Sequence, residues 1–420
     1  MIALQNNAAG STRRRRAVGF IAAVTLCLGL VWHFAHSGGS LKQVQSWTAG
    51  KHSSELKRPP NQRIVGLLFY GRPVYVEMLD CYVRKNLVSN GGWLDEVMFV
   101  ADTTDRKDLA FLDQLVGQVP EYTQVRVHKD KGNFLGQWRA ANESDTIYVK
   151  IDDDLVWLAD DAVPRVVSGL ISHPEALAMA GNIINSPVSR WFHYRTGAVR
   201  PFLPETLATK DLAESEPKGQ WRTSYPHLPY HDAHPGKKYD DYSTEIAFPG
   251  ARMLPLAPGH DSLKWTPLYG SSQYGTGWDK WGNWQAAQQT HYSFFWNVEH
   301  KTLDRYWFGS ATDGTWDLHN DHYNTNFFAM WGRDVNADLI EKLNKGDEHG
   351  MTEYIPEIVD KPFMIDSHAL IVHYSYGRQL DKLRHTDVLD RYRALAKETA
   401  CPANTLKGEK FRWEDYGIHD

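Results

Sequence analysis

Short apolar runs alternate with amphipathic stretches from residue 63 onward. The first run, RIVGLLFY at 63–70, has the length and character of a buried strand, and the stretch after it places Val76, Leu79, Val83 and Leu87 at helical spacing. Further strands are predicted within 94–103, 123–128, 145–151 and 176–185, and helices within 105–116, 137–142 and 159–173. Strands separated by helices of this length predict a mainly parallel sheet that is covered on both faces.

The pattern changes after residue 185. The region that follows is rich in Pro, His, Tyr and Gly and shows little regular period, which predicts ordered loops and short strands. A core-packing helix is predicted at 279–299, a short helix leading to Gly332 in HNDHYNTNFFAMWG, and a strand in DSHALIVH that ends at His373. We therefore divide residues 61–420 into halves at 61–185 and 186–420.

The N-terminal segment has the pattern of a membrane anchor. Arg13 to Arg16 directly precede an apolar stretch at 17–36, which is long enough to span a bilayer core of roughly 30 Å. A cleaved signal peptide is the competing interpretation, because Ala35 and Ser37 are small enough for a cleavage site. The expected order is a cytoplasmic tail at 1–16, a single-pass signal anchor at 17–36 and a flexible stem at 37–60. Arginines remain on the cytoplasmic side, so the rest of the chain is expected in the secretory lumen.

Composition describes an ordinary globular protein with an excess of aromatic residues. The chain has 420 residues, is 42% hydrophobic and 23% charged, and carries a formal net charge of −5, so no basic surface points to nucleic acid. Aromatic side chains fill cores, and they also form flat platforms for sugar rings. Cys81 and Cys401 are the cysteines outside the predicted anchor; they can form one disulfide in an oxidising compartment or remain free. Asn142 begins a sequon, NES, for N-glycosylation.

Three adjacent carboxylates follow the predicted fourth strand, in YVKIDDDLVWL. Like charges about 4 Å apart repel by roughly 1 kcal/mol in water and by more where the dielectric is low, so a positive partner is expected at Asp152, Asp153 and Asp154. Side chains alternate along a strand, so Asp152 and Asp154 point the same way and can share one divalent cation, whereas Asp153 turns toward the protein. Oxygen ligands of this kind suit Mg²⁺ or Mn²⁺. Ligands of open α/β sheets bind beyond the carboxyl ends of the strands, which is where the triplet lies.

An anchor, a stem, a βα region whose fourth strand ends on KIDDD, and an aromatic-rich second half resemble Golgi glycosyltransferases of the GT-A fold. The DDDL segment after YVKI is similar to the D-x-D segment of the β-1,3-galactosyltransferase and Fringe-like group, and more broadly to fungal secretory-pathway glycosyltransferases. This resemblance implies an α/β fold with a mixed, nucleotide-sugar-binding sheet flanked by helices. The first half would bind the nucleotide sugar, the second half would bind the acceptor, and Mn²⁺ or Mg²⁺ would be the metal.

The resemblance also implies roles for individual residues. Asp152 and Asp154 match the D-x-D, whose metal bridges the diphosphate of the donor, and Asp102 stands where the family contacts the ribose or base, although it is equally typical of a turn. Asp321 matches the acidic residue at a helix start that removes the proton of the acceptor hydroxyl, which implies inversion; Asn320 departs from that motif, and an ordinary helix cap is the alternative for Asp321. The late metal-binding histidine of the family corresponds to His373, with His368 as the second choice. Arg378 would meet the diphosphate.

The predicted function is therefore transfer of a sugar, expected to come from a UDP-linked donor, to a hydroxyl of a glycan or glycoconjugate at the Golgi membrane. Two alternatives stay open at this point. Carboxylates and histidine serve equally well in a metal-dependent hydrolase of phosphate or glycosidic bonds, and the departure at Asn320 is compatible with a non-catalytic glycan-binding protein. The sequence contains no G-x-G-x-x-G, P-loop or G-x-S-x-G motif, so dinucleotide, ATP-loop and serine-hydrolase functions lack their signatures.

Overall fold

A computed structural model describes residues 56–127, 134–205, 220–224, 230, 250–259, 261–272, 283–343 and 346–402. All of these residues belong to the unit formed by Trp47–Asp420. The predicted tail, the predicted anchor at 17–36 and the stem up to residue 55 lie outside the described residues. Within the described ranges, no helix combines the length and the apolar character needed to cross a membrane.

Strands and helices alternate through the first half as the sequence pattern predicts. The strands are β1 (Ile64–Tyr70), β2 (Glu96–Ala101), β3 (Tyr122–Arg126), β4 (Ile147–Asp152), β5 (Leu155–Leu158), β6 (Ala178–Ile184), β7 (Phe202–Pro204), β8 (Met253–Pro255), β9 (Thr315–Asp317), β10 (Phe327–Trp331) and β11 (Phe363–His373). The helices are α1 (Pro73–Lys85), α2 (Arg106–Val116), α3 (Ala162–Ser172), α4 (Pro187–Arg195), α5 (Pro267–Ser272), α6 (Trp284–His300), α7 (Ala337–Leu343), α8 (Asp347–His349), α9 (Ile355–Val359), α10 (Leu380–Leu383) and α11 (Val388–Thr399). Every residue of β1 and of β6 is buried, as expected for strands covered on both faces.

The main sheet is mixed, and both halves of the chain contribute to it. The described strands are ordered β3-β2-β1-β4-β10-β6-β11-β5, with β9 beside β11. Neighbours among β1 to β4 are parallel, and so are β6 and β11, whereas β10 runs antiparallel to both β4 and β6. The carboxyl ends of β1, β2, β4, β6 and β11 therefore lie at the same edge. Together with flanking helices such as α3, which packs on β6 and β11, this arrangement confirms the α/β class.

One local prediction is wrong, and one strand of the sheet was not predicted. The segment before Gly332, predicted as a helix, forms strand β10. Its backbone pairs with β4 on one side and β6 on the other, and most of its side chains are buried there. Residues 155–158, for which no strand was predicted, form β5 and pair with β11. Apolar runs of four or five residues have no distinguishing period, so their neighbours in the sheet decide their conformation.

The long helix predicted near residues 279–299 is present as α6. The side chain of Asn283 caps it by accepting hydrogen bonds from the amides of Gln285 and Ala286. His291 is completely buried, with Nδ1 2.9 Å from the hydroxyl of Tyr392 and Nε2 2.9 Å from the carbonyl of Tyr374, and burial lowers its pKa to about 3. These contacts confirm that α6 is a core-packing helix.

Cys81 in α1 and Cys401 after α11 form a disulfide that joins positions separated by 320 residues. A bond that closes so long a loop restricts the unfolded chain and holds α11 against α1.

We predict that Cys401→Ser lowers the free energy of unfolding by about 2–4 kcal/mol. Urea denaturation of both proteins, with and without dithiothreitol, measures the difference. Reductant should weaken the wild type and leave the variant unchanged; equal sensitivity in both would contradict the assignment.

Candidate active site

The acidic triplet lies at the turn between β4 and β5. β4 ends at Asp152 and β5 begins at Leu155, so Asp153 and Asp154 form the connection, and each of these two is only 3% exposed. Phe69 of β1 pairs with Asp152 in register, which brings the residues after β1 next to the turn. Burying a charged group in a protein is costly unless it is paired and hydrogen-bonded, so the surroundings of these carboxylates determine whether the turn is stable.

Asp153 points into the protein, toward the chain that follows β1. Its Oδ2 accepts hydrogen bonds from the amides of Gly71 (2.7 Å) and Arg72 (2.6 Å), and its Oδ1 accepts from Arg72 Nε at 2.8 Å. These contacts tie the end of β1 to the end of β4. Asp153 is therefore a structural anchor of the turn, and it faces the protein as the alternation along the strand predicts.

Asp154 is also turned inward, but toward β11. Its Oδ2 lies 2.8 Å from His373 Nε2 and 2.8 Å from Arg72 Nη1. Burial by itself would raise the pKa of Asp154, but Arg72 and His373 hold it well below its usual range. Oδ1 of the same carboxylate is buried and has no hydrogen-bond partner among the described residues. The structure thus places His373, predicted as a metal ligand, in direct contact with Asp154, and the turn directs Asp154 inward.

Asp152 is held by two residues that sequence reasoning did not select. Its Oδ1 lies 2.7 Å from Lys150 Nζ, and its Oδ2 accepts from Asn326 Nδ2 at 2.8 Å. Burial raises the pKa of Asp152 to about 6; Asp154 and Asp347 act in the same direction, and Lys150 opposes them. The Asp152 side chain is thus partly exposed and lies close to two other carboxylates, those of Asp154 and Asp347.

Lys150 is a buried lysine beneath the triplet. Besides Asp152, its ammonium group donates to the carbonyl of Thr325 at 2.6 Å and lies 3.5 Å from Asp347 Oδ2. Burial would lower its pKa, but the neighbouring carboxylates of Asp152 and Asp347 raise it, which keeps the lysine charged. Lys150 and Arg72 are thus the positive partners that three adjacent carboxylates require.

An aromatic residue completes this part of the site. The hydroxyl of Tyr376 donates to Asn326 Oδ1 at 2.8 Å, and its ring lies 4.0 Å from the ring of His373.

One signal in the sequence points to Arg72, since Gly71 and Arg72 follow the first strand at the edge where ligands bind. Nothing in the sequence points to Asn326 or Tyr376, because they approach the triplet only through the pairing of β10 with β4 and of β11 with β5 and β6.

The remaining predicted residues have none of the hydrogen bonds to the triplet described above. Asp102 follows β2 at the same edge, and its amide donates to Tyr70 O at 3.2 Å. Asp321 is exposed in the loop before β10, so the predicted position at a helix start is wrong, and its Oδ1 accepts from the amide of His322. Arg378 is exposed in the turn Gly377–Gln379. His368 packs on the Trp307 ring in the middle of β11.

Asp152, Asp154 and His373 do not form a three-ligand cluster in the described part of the chain. Among the described residues, one group of three such side chains brings its ligand atoms within 4.8 Å of one another, and its members are His322, His349 and Glu353. Mg²⁺ and Mn²⁺ do not need such a cluster, since Mg²⁺ in particular keeps several waters and binds through one or two carboxylates plus substrate phosphates. The partnerless Asp154 Oδ1 fits that mode of binding.

A separate cavity of about 470 Å³ lies in the second half of the chain. Trp296 forms part of its wall and stacks on His300, and the guanidinium of Arg200 lies 4.1 Å from the centre of the Trp296 ring. None of the lining residues belongs to the acidic triplet or contacts it through a hydrogen bond described above. The cavity therefore offers a ligand an aromatic surface and the charged side chains of Arg200 and Asp261, without any residue of the triplet.

No family model and no curated protein matches this sequence. Similar solved structures include glucosyl-3-phosphoglycerate synthase from Mycobacterium tuberculosis with Mn²⁺, UDP and phosphoglyceric acid, at 18% identity and a TM-score of 0.25 over 33% of this chain and 48% of that one. A mannosyltransferase from Pyrobaculum calidifontis with GDP-Man and Mn²⁺ matches at 19% identity and a TM-score of 0.24, over 30% and 37%. GalNAc-T7 with UDP, GalNAc and Mn²⁺ matches at 9% identity and a TM-score of 0.37, over 76% and 45%.

The chain thus spans less than half of the length of each of these structures, at 48%, 37% and 45%. Identities and TM-scores of this size assign neither an activity nor a ligand to this chain. Its function has to be argued from its own residues.

We predict that Asp153→Ala lowers the free energy of unfolding by about 1–3 kcal/mol, because it leaves the amides of Gly71 and Arg72 and the Nε of Arg72 without their acceptor. Asp145→Ala is the matched control, since Asp145 is fully exposed and the change should stay within about 0.5 kcal/mol. Urea denaturation of the three proteins measures both effects. Equal stability of the Asp153 variant and the wild type would show that Asp153 does not anchor the turn.

Proposed function

We propose that this protein is a metal-dependent glycosyltransferase that moves a sugar from a nucleotide-sugar donor, in particular a UDP-sugar, to a hydroxyl of a glycan or glycoconjugate. The observation that carries the proposal is the acidic triplet at the carboxyl edge of the mixed sheet, with one buried, partnerless carboxylate oxygen on Asp154. The βα order before it and the D-x-D resemblance of KIDDD support the GT-A class of such enzymes.

Asp152 and Asp154 are the proposed ligands of Mn²⁺ or Mg²⁺. Carboxylate oxygens are the donors these hard cations prefer, and the low pKa of Asp154, held down by Arg72 and His373, keeps that ligand ionised. When bound, the cation would offset the negative charge that develops on the donor diphosphate. His373 is predicted as a further ligand; in the structure its Nε2 lies against Asp154 Oδ2, where it orients that carboxylate.

Protein cations supply the remaining positive charge. The side chain of Arg72 is 48% exposed although it pairs with Asp153 and Asp154, so its planar guanidinium is accessible to a phosphate. Arg378, exposed after β11, is the second proposed phosphate contact. Asp102 at the end of β2 is the proposed contact to the ribose or base.

Asp321 is the proposed general base. Its carboxylate is exposed and lies in the loop that leads into β10, the strand next to β4. A carboxylate within hydrogen-bond reach of the acceptor hydroxyl takes up its proton as the bond to the sugar forms, which implies inversion at the anomeric carbon. The role needs no helix at this position, so the strand found in place of the predicted helix leaves it intact.

A Golgi membrane location, with a single-pass anchor and the catalytic part in the lumen, is proposed from the Arg13–Arg16 segment and the apolar stretch at 17–36. The disulfide between Cys81 and Cys401 supports an oxidising compartment. Asn142 is exposed, which agrees with use of its sequon.

Removing either proposed metal ligand should abolish activity without unfolding the protein. We predict that Asp152→Ala and Asp154→Ala each lower Mn²⁺-dependent turnover of the preferred nucleotide sugar by about 10³-fold, since metal ions contribute several kcal/mol to such transition states. A panel of nucleotide sugars identifies the donor first. Asp160→Ala, which removes a carboxylate paired with Lys85 outside the triplet, is the control and should keep activity. Full activity in both triplet variants would refute the metal assignment.

Donor binding separates a transferase from a metal-dependent hydrolase. We predict that UDP and Mn²⁺ together raise the melting temperature, because a ligand that binds the folded state stabilises it, and that the rise is absent in Asp154→Ala. A hydrolase of phosphate or glycosidic bonds has no need of the uridine. Equal stabilisation by UDP and by inorganic diphosphate would therefore favour the hydrolase.

A further inference from the structure

His322, His349 and Glu353 form a second group of ligand-type side chains, here called the histidine cluster. His322 lies in the loop before β10, His349 ends α8, and Glu353 lies in the π-helical segment Gly350–Tyr354. Oε1 of Glu353 is 3.2 Å from His322 Nδ1 and 2.5 Å from His349 Nδ1, and the two imidazole rings are 4.5 Å apart. Two histidines thus converge on a single carboxylate oxygen.

This spacing is close to that of ligands around one small cation. Zinc binds histidine nitrogen at roughly 2.0–2.1 Å and carboxylate oxygen at roughly 2.0–2.2 Å, so two ligands at tetrahedral angles lie about 3.3 Å apart. One atom from each member of the histidine cluster lies within 4.8 Å of the others, a spacing compatible with three ligands of one small cation. π-helical turns are rare and often occur at functional sites, and here one begins directly after His349 and contains Glu353.

The chemistry of the ligands selects the metal. Imidazole nitrogen suits zinc and other late first-row metals, whereas the all-carboxylate triplet suits Mn²⁺ and Mg²⁺. Two histidines and one glutamate are also the protein ligands of a zinc site that keeps a fourth position open. The side chains of His322, His349 and Glu353 are 16%, 44% and 27% exposed, so the cluster is accessible to solvent on one side.

The histidine cluster is separate from the triplet but is connected to it through two neighbouring residues. Glu348, next to His349, accepts from Asn324 Nδ2 at 2.9 Å, and Asp347 lies 3.5 Å from Lys150 Nζ. The loop that carries His322 also supplies Thr325 and Asn326, which bind Lys150 and Asp152. A cation in the cluster would fasten this loop to the segment beginning at α8.

We propose that the histidine cluster binds Zn²⁺ and that the bound ion fixes the loop that places Thr325 against Lys150 and Asn326 against Asp152. The proposal concerns a second metal of different chemistry, and it does not depend on the activity assigned to the triplet. The three histidine-cluster residues are ligands, and the effect on the triplet is one of positioning.

Zinc titration of the full chain without nucleotide tests the site. Isothermal titration calorimetry of the metal-free protein should give one Zn²⁺ per chain. His349→Ala and Glu353→Gln should each weaken binding by more than the roughly 10–100-fold that loss of a mere outer partner costs. His349 is nearly half exposed, so its variant is expected to fold, and a melting curve without zinc checks this. His319→Ala is the matched control, because this neighbouring histidine is 83% exposed and lies outside the cluster.

Asp154→Asn distinguishes the two metal sites. It should leave Zn²⁺ affinity unchanged, and the absorption spectrum of the Co²⁺-substituted protein should lose its four-coordinate bands in His349→Ala but not in Asp154→Asn. Wild-type affinity in His349→Ala and Glu353→Gln, no zinc binding by the wild type, or loss of zinc binding in Asp154→Asn alone would each overturn the proposal. None of these results depends on sugar transfer, so the experiment succeeds or fails independently of the proposed function.

Discussion

Compensation of the buried acidic triplet by Arg72 and Lys150 is the constraint on which the rest of the site depends. Removing a carboxylate from water costs several kcal/mol even after relaxation, and only close cations with additional hydrogen bonds offset that cost. Arg72 contacts Asp153 and Asp154, and Lys150 contacts Asp152. The end of β1, the end of β4 and the loop before β10 can therefore take only those relative positions that keep these contacts.

The order and direction of the strands bring these contacts together at one edge of the sheet. Because β10 runs antiparallel between β4 and β6, the residues just before it, Thr325 and Asn326, arrive at the edge where β4 ends. Because β11 runs parallel to β6, its last residue, His373, arrives at that edge as well and meets Asp154. The two halves of the chain consequently build one site: Arg72 and Lys150 of the first half compensate the charge of the triplet, and Asn326 and His373 of the second half add hydrogen bonds to Asp152 and Asp154.

The acidic character of the site does not stop at the triplet. Asp347 reaches Lys150, and Glu348 and Glu353 continue the row of carboxylates to His322 and His349. Lys150 lies between the triplet and this row of carboxylates, and it contacts Asp152, Thr325 and Asp347. The triplet and the histidine cluster are therefore linked by a few short contacts. Such coupling needs no large motion, since a shift of the loop before β10 changes both environments together.

Local sequence pattern was enough to predict the alternation of strands and helices, the position of the triplet after the fourth strand and the inward orientation of Asp153. These features are predictable because periodicity, strand alternation and clustered charge each depend only on residues that are close together in the sequence. Three features required the folded chain: the segment before Gly332 is a strand, Lys150 and Arg72 neutralise the triplet, and His322, His349 and Glu353 converge. Apart from short-range pairs such as Lys150 with Asp152, those contacts join residues that are far apart in the sequence, such as Arg72 and Asp153, and no local pattern encodes which distant strand will lie beside which.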